Sequence, residues 1–242
     1  MQDRLTQDTF FNGQVTVKQE RLGYRFSIDA VILAHRVRPK PSERIVDLGT
    51  GCGIVPLIVG FRHPEIQIFG IEIQKELADI ADVNVRENGM EKKIRILCRD
   101  IRTIKTAMFK EPVDIVVSNP PFHKAASGRI NPNRQRAVAR HEIRITLLDV
   151  VKAAGDILKR AGLFVLVYTS ERLPELVQHM RSCRIEPKNV RFIHSRKKSE
   201  SKIMMMEGVK QGKPGLTVGP PIFIYNEDGT YTEEIEAMFL PI

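Results

Sequence analysis

An α/β fold with a mainly parallel sheet and helices on both faces is what this 242-residue sequence predicts. Three observations predict it. After the first forty residues, short β-branched runs alternate with longer amphipathic stretches, as successive strand–helix–strand units do. The first buried strand runs directly into a glycine-rich turn, Gly49-Thr50-Gly51-Cys52-Gly53. After Cys183 the chain offers strands separated by long turns, which adds an antiparallel edge at the C-terminal side of the sheet.

The elements follow in order. In residues 1–40, an appendage, Val15-Thr16-Val17 and Tyr24-Arg25-Phe26 are expected to pair as a hairpin, with a short helix from Asp29 to Val37. Arg44 to Leu48 reads as a buried strand and Ile54 to about Arg62 as a helix. Ile66 to Ile71 is the next strand. Leu77, Ile80, Ala81 and Val85 have helical spacing within a helix from Gln74 to about Asn88, stopped by Gly89. Strands are expected at Ile94–Cys98 and Val113–Ser118, then a helix from Leu147 to Lys159 and a turn at Gly162 into the strand Leu163–Tyr168. A helix from about Pro174 to Cys183 precedes strands at Val190–His194, Lys202–Val209 and Ile222–Tyr225.

Composition narrows the class. The chain is 42% hydrophobic and 28% charged, enough apolar material for one domain over 1–242 with its sheet in 41–242. Disordered, collagen-like and disulfide-stapled classes are excluded. Cys52, Cys98 and Cys183 form no C-x-x-C pair and no ligand spacing with histidine, so neither a metal nor a disulfide is expected, and a reducing compartment is. No signal pattern opens the chain, and no apolar run approaches the roughly 18 residues of a membrane span. A soluble, cytoplasmic protein is the expectation, most simply a monomer.

The net charge is +9, and its location matters more than its size. Residues 124–144 hold Lys124, Arg129, Arg134, Arg136, Arg140 and Arg144 against Glu142 alone. Residues 188–202 hold Lys188, Arg191, Arg196, Lys197, Lys198 and Lys202 against Glu200 alone. The rest of the chain is close to neutral. A polyanion, structured RNA in particular, is the expected partner, bound in a salt-dependent way.

In open α/β sheets ligands bind beyond the carboxyl ends of the strands. Asp47-Leu48-Gly49-Thr50-Gly51-Cys52-Gly53 has G-x-G-x-G spacing, with Ile54 where a dinucleotide fingerprint needs glycine and no Lys-Ser/Thr for a phosphate loop. Glu72, followed by Ile73, stands about 20 residues on and can accept from both hydroxyls of a ribose. At the next strand end Asp100 can accept from an adenine amine and Ile101 can pack on the ring; an N-cap is the competing role for Asp100. Together these strand ends describe an adenosine-shaped site.

The fourth strand ends in Asn119-Pro120-Pro121-Phe122-His123. Consecutive prolines hold the preceding carbonyls extended. The Asn119 side-chain oxygen and the Pro120 carbonyl can accept the two hydrogens of an –NH₂ group while Phe122 stacks on its ring.

These residues resemble the Rossmann-like, class I S-adenosylmethionine-dependent methyltransferases, a fold with a mainly parallel seven-stranded sheet. Asp47–Gly53 resembles their first motif, Glu72 their ribose acid and Asp100 their adenine contact. Asn119-Pro120-Pro121-Phe122 resembles the N-P-P-[YFW] motif of enzymes that methylate exocyclic or amide nitrogens. The resemblance covers roughly residues 25–170. Within the superfamily the sequence is most similar to bacterial tRNA1(Val) adenine-37 N6-methyltransferases: Phe26–Leu33, with Asp29, resembles their N-terminal cofactor segment, and Arg136–Glu142 their "ARHE" stretch.

The resemblance implies S-adenosyl-L-methionine as cofactor, S-adenosyl-L-homocysteine as product and the N6 amine of a tRNA adenosine as acceptor. It implies a flipped base received by Phe122, with Lys124, Arg129, Arg134, Arg136, Arg140, Arg196, Lys197 and Lys198 on phosphates. Phe122 stands where relatives often carry Tyr, and Phe-His is also seen in rRNA guanine-N2 enzymes. That reaction, protein glutamine-N5 methylation, and a nonenzymatic RNA-binding module are the rival readings.

Overall fold

The computed structural model describes residues 5–21, 25–120 and 145–241. Strands β1 (Leu5–Phe10) and β2 (Val15–Glu20) form an antiparallel hairpin. Its turn places Phe11, Asn12 and Gly13 at φ +55°, +55° and +85°, closed by the Gly13 N–H donating to the Phe10 carbonyl at 3.1 Å. The expected pairing of Val15–Val17 with residues 24–26 is corrected: Leu5–Phe10 is the partner. Asn12-Gly13 supplies the left-handed turn that a short hairpin needs, while Arg25 and Phe26 run without strand structure into helix α1 (Ile28–Arg36).

The main sheet follows: β3 (Arg44–Leu48), helix α2 (Ile54–Arg62), β4 (Gln67–Glu72), helix α3 (Lys75–Glu87), β5 (Ile94–Cys98) and β6 (Val113–Ser118). Beyond residue 144 come helix α4 (Leu147–Ile157), β7 (Leu158–Thr169), helix α5 (Leu173–Ser182), β8 (Ile185–His194) and β9 (Ser201–Lys210). Thr146 opens α4 with a capping box, its hydroxyl accepting the Asp149 N–H at 3.1 Å. Two-residue strands β10 (Thr217–Val218) and β11 (Ile222–Phe223) and a short helix α6 (Glu233–Glu236) follow.

The strand order is β10-β8-β9-β7-β6-β3-β4-β5, with β11 also on β8. Strands β3 to β7 are mutually parallel where they pair, and β9 runs antiparallel to β7 and β8. The expected seven strands are therefore present, extended along β8 by two short ones. The chain leaves β3 toward β4 and β5, then returns to β6 on the other side, so the topological switch lies between β3 and β6.

Side chains alternate between two cores, as a sheet covered on both faces requires. Ile115, Val117, Val165 and Val167 face the cluster formed with α1, α2 and the hairpin. Val116, Phe164 and Leu166 face the cluster formed with α4 and α5. The hairpin contributes Phe10, Phe11, Val15 and Val17 to the first core, and the Phe11 ring stacks on Phe61 at 4.6 Å. The helix expected to reach Lys159 ends at Ile157. Residues 159–162 bulge out of the ladder between the pairs Val113–Leu158 and Ile115–Leu163, with Ala161 at φ +60°, so the turn expected at Gly162 is a bulge inside β7.

Candidate active site

The parallel register brings four strand ends together. Leu48 pairs with Ser118 on one side and Ile71 on the other, and Glu72 pairs with Cys98. Asn119, the glycine turn, Ile73 and Asp100 therefore line one edge of the sheet, spanning about 15 Å at the usual strand spacing. Buried Ser118 ties the switch point together by donating its hydroxyl to the Leu48 carbonyl at 2.7 Å.

The turn after β3 needs its glycines. Gly49, Gly51 and Gly53 have φ of +77°, +58° and +86°, which side chains with a Cβ rarely adopt. The Gly49 and Thr50 N–H groups both donate to the Ile71 carbonyl at 2.9 Å, folding the turn back over β4. Gly53 caps α2 and faces Ala81 of α3, where a Cβ would come within 3.3 Å. Gly70, under the turn, was not singled out by sequence. A Cβ there would lie 2.9 Å from Thr50 Cγ2, so its absence leaves room for Thr50.

Glu72 is 5% exposed. Its Oε2 accepts the Gly51 N–H at 3.0 Å and its Oε1 the Gln74 N–H at 2.9 Å. Burial raises its pKa, and those N–H groups work against the rise. A carboxylate has about four lone-pair sites, so capacity remains for a hydroxyl donor. Asp47 is fully enclosed at the end of β3. Burial pushes its carboxyl up to about 7, the nearby Thr50 hydroxyl opposes this, and the Glu72 charge adds to it. Asp47 Oδ2, Thr50 Oγ1 and Asn119 Oδ1 are all buried without a hydrogen-bond partner among the described residues. Three such polar atoms along one edge leave hydrogen-bonding capacity there for a polar ligand.

The remaining sequence-predicted residues divide. Asp100 caps the 3₁₀ turn Ile101–Thr103, its Oδ1 accepting the Arg102 N–H at 2.9 Å, and Arg102 Nη2 bonds its Oδ2 at 2.6 Å. The guanidinium holds its pKa below the usual carboxylate range. The competing cap role is thus realised. Ile101 packs in the core with Ile71, Phe109 and Leu147 at 3% exposure, whereas Ile73, just past β4, is partly exposed. Asp29 is buried in the first turn of α1, where it accepts the Ser27 hydroxyl at 2.8 Å and burial raises its pKa. The Cys52 thiol is pushed up to about 12 by burial, so its contribution is its backbone. Its carbonyl accepts from Asn84, a residue the sequence reading missed. Pro120 is buried beside Asn119.

Pro121, Phe122, His123, Lys124, Arg129, Arg134, Arg136, Arg140, His141 and Arg144 lie outside the described residues. The second basic window is described. Arg191 is engaged by Glu234 and the Pro220 carbonyl. Arg196, Lys197 and Lys198 are exposed on the β8–β9 turn. Since β8 runs parallel to β7, that turn stands on the same sheet edge as Asn119.

Comparison with known proteins identifies the family. Residues 25–193 match the family model described as the methyltransferase small domain. A Tolumonas auensis protein named tRNA1(Val) (adenine(37)-N6)-methyltransferase is 26% identical over 234 residues, covering 93% of this chain and 92% of that protein. A Porphyromonas gingivalis protein of the same name is 27% identical over 206 residues, with coverages of 83% and 80%. Among solved structures, a predicted O-methyltransferase from Agrobacterium tumefaciens superposes with a TM-score of 0.69 at 20% identity, covering 86% of this chain and 94% of that one. A geranyl diphosphate methyltransferase solved with SAM superposes at 0.54 and 13% identity, over 75% and 84% of the two chains. With a family match over most of its length and the strand-end architecture to go with it, this chain belongs to the methyltransferase small domain family.

Proposed function

We propose that this chain transfers a methyl group from S-adenosylmethionine to the N6 amine of an adenosine in tRNA, adenosine 37 of tRNA1(Val), and releases S-adenosylhomocysteine. The observation that carries the reading is Asn119 Oδ1, buried at the switch point without a hydrogen-bond partner among the described residues, and followed directly by Pro120. The names of the full-length relatives supply the acceptor.

The cofactor carries its methyl on a sulfonium, which needs no activation beyond in-line approach by a nitrogen. The protein's residues act around that approach. Glu72, oriented by the Gly51 and Gln74 N–H groups, accepts from the ribose hydroxyls. Asp47 and Glu72 place negative charge beside a cationic ligand. Asn119 Oδ1 and the Pro120 carbonyl accept the N–H groups of the amine, which turns its lone pair out of conjugation and stabilises the positive charge as the N–C bond forms and the C–S bond breaks. The proton then leaves the methylated ammonium for water, so no strong base is needed. Pro121 rigidifies the segment and Phe122 stacks on the base, by resemblance. Lys124, Arg129, Arg134, Arg136, Arg140, Arg196, Lys197 and Lys198 hold the tRNA backbone, in the cytoplasm where tRNA is modified. No helix among the described residues is long and apolar enough to cross a membrane.

Asn119→Ala tests the assignment. Methyl transfer should fall by roughly 10²–10³-fold, the usual loss for one donor or acceptor aimed at developing charge, with S-adenosylhomocysteine affinity within about threefold of wild type. Retained turnover overturns it.

A further inference from the structure

We propose that Asn84 is a positioning residue for the cofactor turn, and that docking of the N-terminal hairpin and binding of the cofactor form one coupled equilibrium. The inference rests on the reading of Gly49–Gly53 as the cofactor turn.

Asn84 of α3 is fully buried. Its Oδ1 accepts the Lys18 N–H at 2.8 Å. Its Nδ2 donates to the Lys18 carbonyl at 2.8 Å and to the Cys52 carbonyl at 2.9 Å. Both donors are therefore committed, one to the hairpin and one to the turn. One helical turn on, Asn88 Oδ1 accepts the Thr16 N–H at 2.9 Å and its Nδ2 donates to the Thr16 carbonyl at 2.7 Å. Four residues of helix rise about 6 Å and two residues of strand nearly 7 Å, so asparagines four apart on the helix meet strand residues two apart, Asn84 at Lys18 and Asn88 at Thr16. The free edge of β2 is thus paired by side chains instead of another strand. Only Asn84 continues to the turn.

The Cys52 carbonyl is the group that most needs an outside hold. It lies between Gly51 and Gly53, both at positive φ, where the backbone has its widest freedom. The hairpin also holds the segment that leads into α1. Buried Gln19 accepts the Phe26 N–H at 3.1 Å and so fixes the approach to α1 and Asp29. A cofactor that selects the ordered turn must then favour the docked hairpin, and the docked hairpin must favour the cofactor by the same factor.

Two measurements test this on the full chain. In calorimetric titration with S-adenosylhomocysteine, Asn84→Ala should bind about tenfold more weakly than wild type, within the usual range of coupling. Asn88→Ala, which loosens the hairpin at Thr16 but leaves the Asn84–Cys52 bond to the turn intact, should weaken binding by a smaller factor, about two- to fourfold, and kcat of Asn84→Ala at saturating cofactor should stay near wild type. In wild-type protein, amide exchange at Lys18 should slow several-fold when S-adenosylhomocysteine is added, a readout that stands even if Asn84→Ala fails to fold. Unchanged binding by Asn84→Ala, equal weakening by Asn88→Ala, or unchanged Lys18 exchange overturns the proposal. Wild-type protein that binds no S-adenosylhomocysteine at all overturns the cofactor reading itself.

Discussion

The Glu72 carboxylate reaches back across the glycine turn to the backbone of Gly51, accepting its N–H at 3.0 Å while holding Gln74 with the other oxygen. The residue expected to bind the ribose therefore also shapes the turn beside it. Glu72→Gln puts an amide donor against one of these N–H groups. A charge-assisted hydrogen bond is worth about 1.5–3 kcal/mol, so S-adenosylhomocysteine affinity should fall roughly 10- to 100-fold by calorimetry, with the fold retained.

Asp47 sets a pH dependence. Burial raises its pKa from 3.8 to about 7 in the folded protein, and a cationic ligand favours the charged form. Cofactor affinity should therefore be highest above pH 7 and weaken as pH falls below it, by at most about tenfold per unit for one coupled proton. Stability carries the opposite sign. Between pH 4 and 7 the folded state binds the proton that the unfolded state has released, so this carboxyl costs stability as pH rises through that window, and the full cost stands above pH 7. Asp47→Asn should raise the melting temperature at pH 8 by several degrees while weakening cofactor binding and flattening its pH profile.

Gly70→Ala brings a Cβ to 2.9 Å from Thr50 Cγ2 and 2.8 Å from Ile96 Cδ1. Overpacking of this kind costs about 1–3 kcal/mol. Because Thr50 is part of the turn, chemical denaturation should show that loss together with weaker cofactor binding. Gly60→Ala, which meets only flexible Ile94 and Ile68 side chains away from the turn, should leave binding unchanged.

The exposed Arg196-Lys197-Lys198 turn shares the sheet edge with Asn119. Replacing Lys197 and Lys198 by Gln should weaken tRNA binding and reduce its salt slope by somewhat under one for each phosphate left without a cation. S-adenosylhomocysteine affinity should not change. Filter binding across a salt series, with calorimetry alongside, reads both.

The strand ends were legible in the sequence because their chemistry is local. Buried runs announce β3 and β6, and Gly49, Gly51 and Gly53 announce a turn that only left-handed residues make. The hairpin partner was not legible by hydrophobicity, since four of the six residues of Leu5–Phe10 are polar, although Asn12-Gly13 carried the turn signal. Asn84 and Asn88 were missed because asparagine in a helix reads as exposed, and only the packing of β2 against α3 shows what they hold. Ile101 looked available to a ring because nothing in its neighbours marks it as core. Asp100 was legible in both roles, and the cap is formed through Arg102, which follows it by two residues.

The most direct test of the account is transfer of labelled methyl from S-adenosylmethionine to an unmodified tRNA1(Val) transcript, beside a copy carrying guanosine at position 37, with nucleoside analysis of the product. The account predicts N6-methyladenosine in the first transcript and none in the second. Label in the guanosine-37 copy, label in any nucleoside other than N6-methyladenosine, or label in neither transcript would contradict it.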